Sequence, residues 1–119
     1  MELPDRNNVY GLIACNQRLP ELAKLLRDFL SVGDEEAHLK TSQFDGTQKL
    51  LLRTEKVEFD AYPTGQAPGE FLFNGAVAGD EHEVSTFVEE LHRLLKNHGF
   101  QPRLEVYDDK RQCIAEFDA

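Results

Sequence analysis

Positive charge is in short supply in this chain. Thirteen Lys and Arg stand against twenty-two Asp and Glu in 119 residues, a formal net charge of −9 and a sequence pI near 4.8. A field of that sign repels phosphate backbones and anionic bilayer surfaces, so nucleic-acid and membrane binding are disfavoured, while a basic protein partner is attracted. The imbalance is uneven. Residues 1–60 carry eleven acids and eight Lys/Arg (−3), and residues 61–119 carry eleven and five (−6).

Cysteine is equally sparse. Cys15 and Cys113 lie almost a chain length apart, each inside an apolar strand pattern. A disulfide is conceivable if those strands are neighbours, but nothing in the spacing demands one, and the pair reads as two reduced thiols acting as small core hydrophobes. No apolar run approaches the ~20 residues of a membrane span. The start Met1-Glu2-Leu3-Pro4-Asp5 lacks the basic and apolar stretches of a secretory signal, so a cytoplasmic location is expected.

The motifs of common chemistries are missing too. Gly65 and Gly69 flank Gln66-Ala67-Pro68 with no Gly-Lys-Ser/Thr behind them, and Gly75 and Gly79 lack the dinucleotide spacing. There is no Gly-x-Ser-x-Gly elbow and no Ser/His/Asp constellation. Glu89 and His92 have the three-residue spacing used in di-iron bundles, but no second such motif accompanies them. His92 is expected on the polar, solvated face of its helix, and His98 in the last turn, where an imidazolium complements the helix dipole. No catalytic residue, cofactor or metal is expected.

What is present is ordinary globular material: 40% hydrophobic and 29% charged residues, enough for one domain with one core. Residues 1–8 read as a short flexible lead-in and 9–119 as a single domain. A strand, a helix and a hairpin recur. The first set is Val9–Cys15, Leu19–Leu30, Ala37–Phe44 and Thr47–Thr54. The second is Phe71–Ala78, Glu81–His98, Arg103–Tyr107 and Gln112–Phe117.

The near-continuous apolar run Val9–Cys15 predicts a central strand covered on both sides. Pro20 suits a first helical turn, and Leu19, Leu22, Leu25, Leu26, Phe29 and Leu30 form one stripe behind it, with Gly33 as a left-handed stop. Asp80 with Glu83 predicts a capping box for the second helix, and Gly99 its end. Asp45-Gly46 and Asp108-Asp109 mark the hairpin turns. Val57, Phe59 and Ala61 alternate with Glu58 and Asp60, a strand with one wet face. Two helices, each with a single apolar stripe, need one common surface to cover. The expected architecture is α+β, with both helices on one face of a mostly antiparallel sheet, ferredoxin-like or a duplicated β-α-β-β.

That order, and the rhythm of Tyr107–Phe117, are similar to the vicinal-oxygen-chelate arrangement of glyoxalase-type enzymes. The resemblance implies metal ligands from His and Glu near strand ends. Only Glu116 stands in a comparable place, and Val9-Tyr10 and Phe71–Phe73 supply no histidine.

Function is therefore read from surfaces. The leading expectation is a small, acidic, non-enzymatic binding or regulatory domain that neutralises or regulates a basic protein, through Glu105, Asp108, Asp109, Glu58 and Asp60. The alternative is a small-molecule-binding or metal-independent enzymatic domain, its pocket between the sheet and the 63–69 loop and lined by Tyr62, Phe71 and Phe73. A homodimer through the sheet face left open by the helices is a third possibility.

Overall fold

The computed structural model describes residues 2–16 and 18–119. Met1, the first residue of the expected lead-in, lies outside them. Seven strands and two helices follow in the order β1 (Val9–Ala14), α1 (Leu19–Leu30), β2 (Ala37–Thr41), β3 (Gln48–Arg53), β4 (Val57–Pro63), β5 (Glu70–Val77), α2 (Glu81–Asn97), β6 (Gln101–Tyr107) and β7 (Cys113–Phe117). One antiparallel sheet holds every strand, ordered β2-β3-β4-β5-β1-β6-β7. The fold is α+β, with a sheet larger than a two-helix ferredoxin-like pattern needs.

The two β-α-β-β segments are not laid down as matching copies. An additional strand, β4, sits between the first hairpin and β5. β2 lies at the sheet edge, whereas its counterpart β6 lies between β1 and β7, one strand in from the other edge.

Register puts the apolar residues on one face. Val9 pairs with Gly75 and Val106, Ile13 with Phe71, Ala61 with Leu50 and Phe73, and Leu52 with Ala37 and Phe59. Directly paired residues share a face, so one side of the sheet is a continuous apolar floor. Leu19, Leu22, Ala23 and Leu26 of α1 and Val84, Val88, Leu91 and Leu95 of α2 are buried in the same core. α1 lies over β2 and β3, and α2 over β6 and β7. Phe29 and Phe87 join the helices, with ring centroids 5.7 Å apart.

Beneath them, Phe59 and Phe73 stack at 4.4 Å. That stack depends on Gly75, paired with Phe59. A Cβ there would fall inside the van der Waals envelope of the Glu58 carbonyl oxygen and 2.6 Å from Phe59 Cδ1.

Helix ends follow their local chemistry. Asp80 Oδ1 accepts from the Glu83 N–H at 2.8 Å and Glu83 Oε1 from the Asp80 N–H at 2.9 Å, a complete capping box. Gly99, at φ 84°, follows the end of α2. At the end of α1 the left-handed residue is Ser31 (φ 55°), whose N–H bonds Arg27 O, rather than the expected Gly33. Gly33 instead donates its N–H to Glu36 Oε2 at 2.9 Å. Among the described residues no helix is long and apolar enough to cross a membrane.

The lead-in is fastened at its last residue. Asn8 Nδ2 donates to Val77 O and Asn8 Oδ1 accepts from Val77 N, both at 2.9 Å. Its backbone bonds Gly75 O and the Tyr107 N–H. The amide side chain thus extends the β1–β5 ladder by one rung.

Candidate functional site

The face of the sheet opposite the helices is uncovered. The β1 run is therefore central in the sheet but buried on one side only: Val9 and Ile13 are buried, while Tyr10, Leu12 and Ala14 look out. Leu12 pairs with Leu72, and Leu72 with Tyr62, giving a row of apolar side chains across β4, β5 and β1. Tyr10 and Tyr62 remain 39% and 37% exposed, and Leu51 is half-buried on the same side. Charges flank this strip. Lys40, Lys49 and Arg53 project from β2 and β3, Glu58 and Asp60 from β4, and Arg103, Glu105 and Glu116 from β6 and β7.

The expected partner-binding acids are thereby divided among three places. Glu58 and Asp60 line a shallow depression of about 140 Å³ with Tyr62, Asn74 and Arg53. Arg53 Nη2 lies 2.6 Å from Asp60 Oδ1, a buried oxygen that takes no well-aligned hydrogen bond, so the contact is mainly coulombic.

Glu105 pairs across the strands with Glu116, and Cys113 sits beside both. Their ligand atoms lie within 4.8 Å of one another. Cys113 Sγ faces Glu116 Oε1 at 3.7 Å and Ala115 O at 3.5 Å. Desolvation, then the carboxylates of Glu116 and Glu105, push its thiol pKa up, which favours the protonated form and opposes both nucleophilic and ligand roles. Cys113 is exposed at the sheet edge, unlike the core position expected for it. Cys15 is buried, and burial pushes its thiol up to about 11.

Asp108 and Asp109 stand in the third place, the β6–β7 turn. Asp108 Oδ1 accepts the N–H groups of Lys110 (2.9 Å) and Gln112 (2.8 Å) and so holds the turn; Asp109 is exposed. Both line a cleft of about 860 Å³ between the lead-in, the start of α2 and this turn. Tyr10 and Ile114 give it exposed apolar surface, with Val84 and Val106 buried behind them. Asp5, Asp80, Glu81, Asp108 and Asp109 surround it with five carboxylates against the guanidiniums of Arg6 and Arg111. Sequence reasoning missed this cleft because four separate segments build it.

The expected pocket of Tyr62, Phe71 and Phe73 is not assembled. Tyr62 is on the open face, whereas Phe71 and Phe73 are buried beneath the helices, because residues of opposite parity in paired strands point to opposite faces. The 63–69 loop lies at the other end of the strands from the cleft; its residues 65–68 are exposed, and its last residue is fastened to the end of β1. Gly69 O accepts from the N–H groups of Cys15 and Asn16, and a Cβ on Gly69 would meet Asn16 Oδ1 and Cα.

Two side chains serve structural purposes that their sequence positions did not reveal. His92 is half-buried, not solvated. Its Nε2 faces the carbonyl oxygens of Asp118 (2.8 Å) and Pro102 (3.1 Å), which makes it the donor and ties the chain beyond β7 to α2. Arg18 forms an ion pair with Glu21, donates to His98 O at 2.6 Å and lies 4.1 Å over the Phe100 ring. It therefore supplies positive charge at the C-terminus of α2, a role the sequence suggested for His98.

No family model, no curated protein and no solved structure matches this chain.

Proposed function

We propose that this chain, read as two β-α-β-β segments about the inserted strand β4, is a non-enzymatic binding module that engages a basic protein partner at the cleft beside the β6–β7 turn. One observation carries the reading: five carboxylates and two guanidiniums surround an apolar lining in a cleft of about 860 Å³. A lysine or arginine side chain matches that combination. Its methylene stem covers apolar surface while its charged head reaches the rim. The rest of the acidic second half adds long-range attraction and raises the encounter rate.

The carboxylates do not contribute alike. Asp108 and Asp80 each spend one oxygen on a backbone cap, so replacing them would disturb the turn or the helix start. Asp109 and Glu81 are exposed and make the cleaner test. Fluorescence anisotropy with a Lys/Arg-rich peptide should show binding that weakens at least tenfold in the Asp109→Lys/Glu81→Lys variant and falls steeply with added salt. Equal affinity in the variant, or equal binding of an acidic peptide, would refute the assignment.

A second reading draws on the cleft's volume, which lies within the roughly 300–1,000 Å³ of small-molecule sites. The ligand would be an amphipathic amine held in the same place. A thermal-shift series with polyamines and aryl-amines separates the two readings. At a hundred times its Kd a small ligand adds about 2.7 kcal/mol of stability, whereas a peptide-only site stays silent.

A further inference from the structure

We infer that the open face of the sheet is a self-association surface, and that a second copy of this chain covers it in a face-to-face dimer. The inference concerns the sheet face rather than the cleft just described; the two share Tyr10, and each has its own test.

Three features of that face point to the same occupant. The first is its layout. Tyr62, Leu72, Leu12, Ala14 and Tyr10 make an apolar centre on β4, β5 and β1, and the charged side chains lie mainly around it. An apolar middle with a polar rim is the anatomy of a protein interface.

The second feature is size. Six strand spacings of about 4.8 Å and five residues of about 3.4 Å give a face of about 29 by 17 Å. Two such faces remove about 1,000 Å² in projection, near the lower bound for a specific interface and consistent with micromolar association.

The third feature is charge order along the sheet. The β2–β3 end presents Lys40 and Lys49 and no carboxylate on this face, while the β6–β7 end presents Glu105 and Glu116. None of these four has an ion-pair partner among the described residues. In the order β2-β3-β4-β5-β1-β6-β7 the middle strand is β5. A two-fold axis running along β5 between two stacked sheets reverses left and right. It sets the lysine end of each copy over the glutamate end of the other and brings Leu72 and Leu12 of both copies to the centre. Strand by strand this lays β6 over β3, with Arg103 level with Lys49 and Glu105 level with Leu51, so the lysine row and the glutamate row meet across one pleat repeat of about 7 Å. The roughly 30° rotation of aligned sheet packing is compatible with this arrangement. Such a contact is isologous and closes at two copies.

A basic partner has no comparable fit here, because the β2–β3 end would repel it. A second copy brings an acidic end to each basic one.

Sedimentation velocity on the full chain between 5 and 200 µM tests the proposal, with circular dichroism confirming the fold of each variant. The wild type should show a concentration-dependent monomer–dimer equilibrium. Lys40→Glu/Lys49→Glu and Glu105→Lys/Glu116→Lys should each weaken it at least tenfold. Mixed together, the two variants should recover a dimer, since one then carries two acidic ends and the other two basic ends. Leu72→Arg at the centre should abolish association. A wild type that stays monomeric at 200 µM overturns the proposal, as do a mixture without recovery, a Leu72→Arg dimer of wild-type affinity, or species that grow beyond two copies. Loss of peptide binding at the cleft with the dimer intact would overturn only the function proposed above.

Discussion

Replacing Asn8 should cost far more than its place in a polar lead-in suggests. Its side chain donates one hydrogen bond to Val77 O and accepts one from Val77 N, and Val77 is 3% exposed. Two such bonds are worth about 1 kcal/mol each, and the orphaned groups of a buried residue add up to about another 1 kcal/mol. Asn8→Ala should therefore destabilise by about 2–3 kcal/mol. With an unfolding entropy of about 2.1 cal/mol/K per residue over the chain, that lowers Tm by about 8–12 °C.

Asn8→Asp isolates the donor. Ionised, the introduced carboxylate can still accept from Val77 N but faces the Val77 carbonyl with a lone pair. Protonated, it can donate as the amide does. The folded state thus prefers the neutral acid and raises its pKa. The stability this variant retains is fully present below the unfolded carboxyl value and is lost as pH rises through the folded one. Urea denaturation of wild type and both variants at pH 3.5 and 7 measures this. A loss below about 0.5 kcal/mol for Asn8→Ala would refute the reasoning, and so would an Asn8→Asp deficit that is independent of pH.

Gly75→Ala should be worse still. The new methyl collides with backbone at Glu58 and with the Phe59 ring that stacks on Phe73, so a loss above about 3 kcal/mol or failure to fold is expected, readable by urea denaturation. Asp45, at the β2–β3 turn, has its pKa held below the ordinary 3.8, first by the Thr47 N–H and then by the Thr47 hydroxyl. Its contribution is present above that ordinary value and is lost as pH falls through the lowered folded one. Asp45→Asn should flatten the stability profile in that acid window, and an unchanged acid limb in thermal melts would count against it.

Local periodicity made much of the fold readable. The leucine stripe of α1, the capping box of α2 and the alternation of Val57, Phe59 and Ala61 each follow from contacts within a few residues. The open face was harder. Tyr10, Leu12 and Ala14 are as apolar as a doubly covered strand, and nothing local says that helices shield only their neighbours Val9 and Ile13. Strand parity separates Tyr62 from Phe71 and Phe73, but only once the β4–β5 register is known. The cleft joins residues 4–10, 79–84, 106–111 and 114, whose proximity comes from β1 lying between β5 and β6. Arg18 and Asn8 are likewise legible only after distant carbonyls arrive beside them.

The position of β1 also bears on how the chain reaches this structure. Val9 meets Gly75 on one side and Val106 on the other, so β1 precedes both of its neighbours and waits for β5 and β6 before both its edges are filled. During that wait β2 to β5 can close as a local meander, with the apolar strand Phe71–Val77 as its raw edge. An edge of that kind templates pairing with other chains. Insertion of β1 must beat such encounters while paying the entropy of a long loop closure. β1 is thus a keystone, made before either of its neighbours and joining the four-stranded meander to the β6–β7 hairpin.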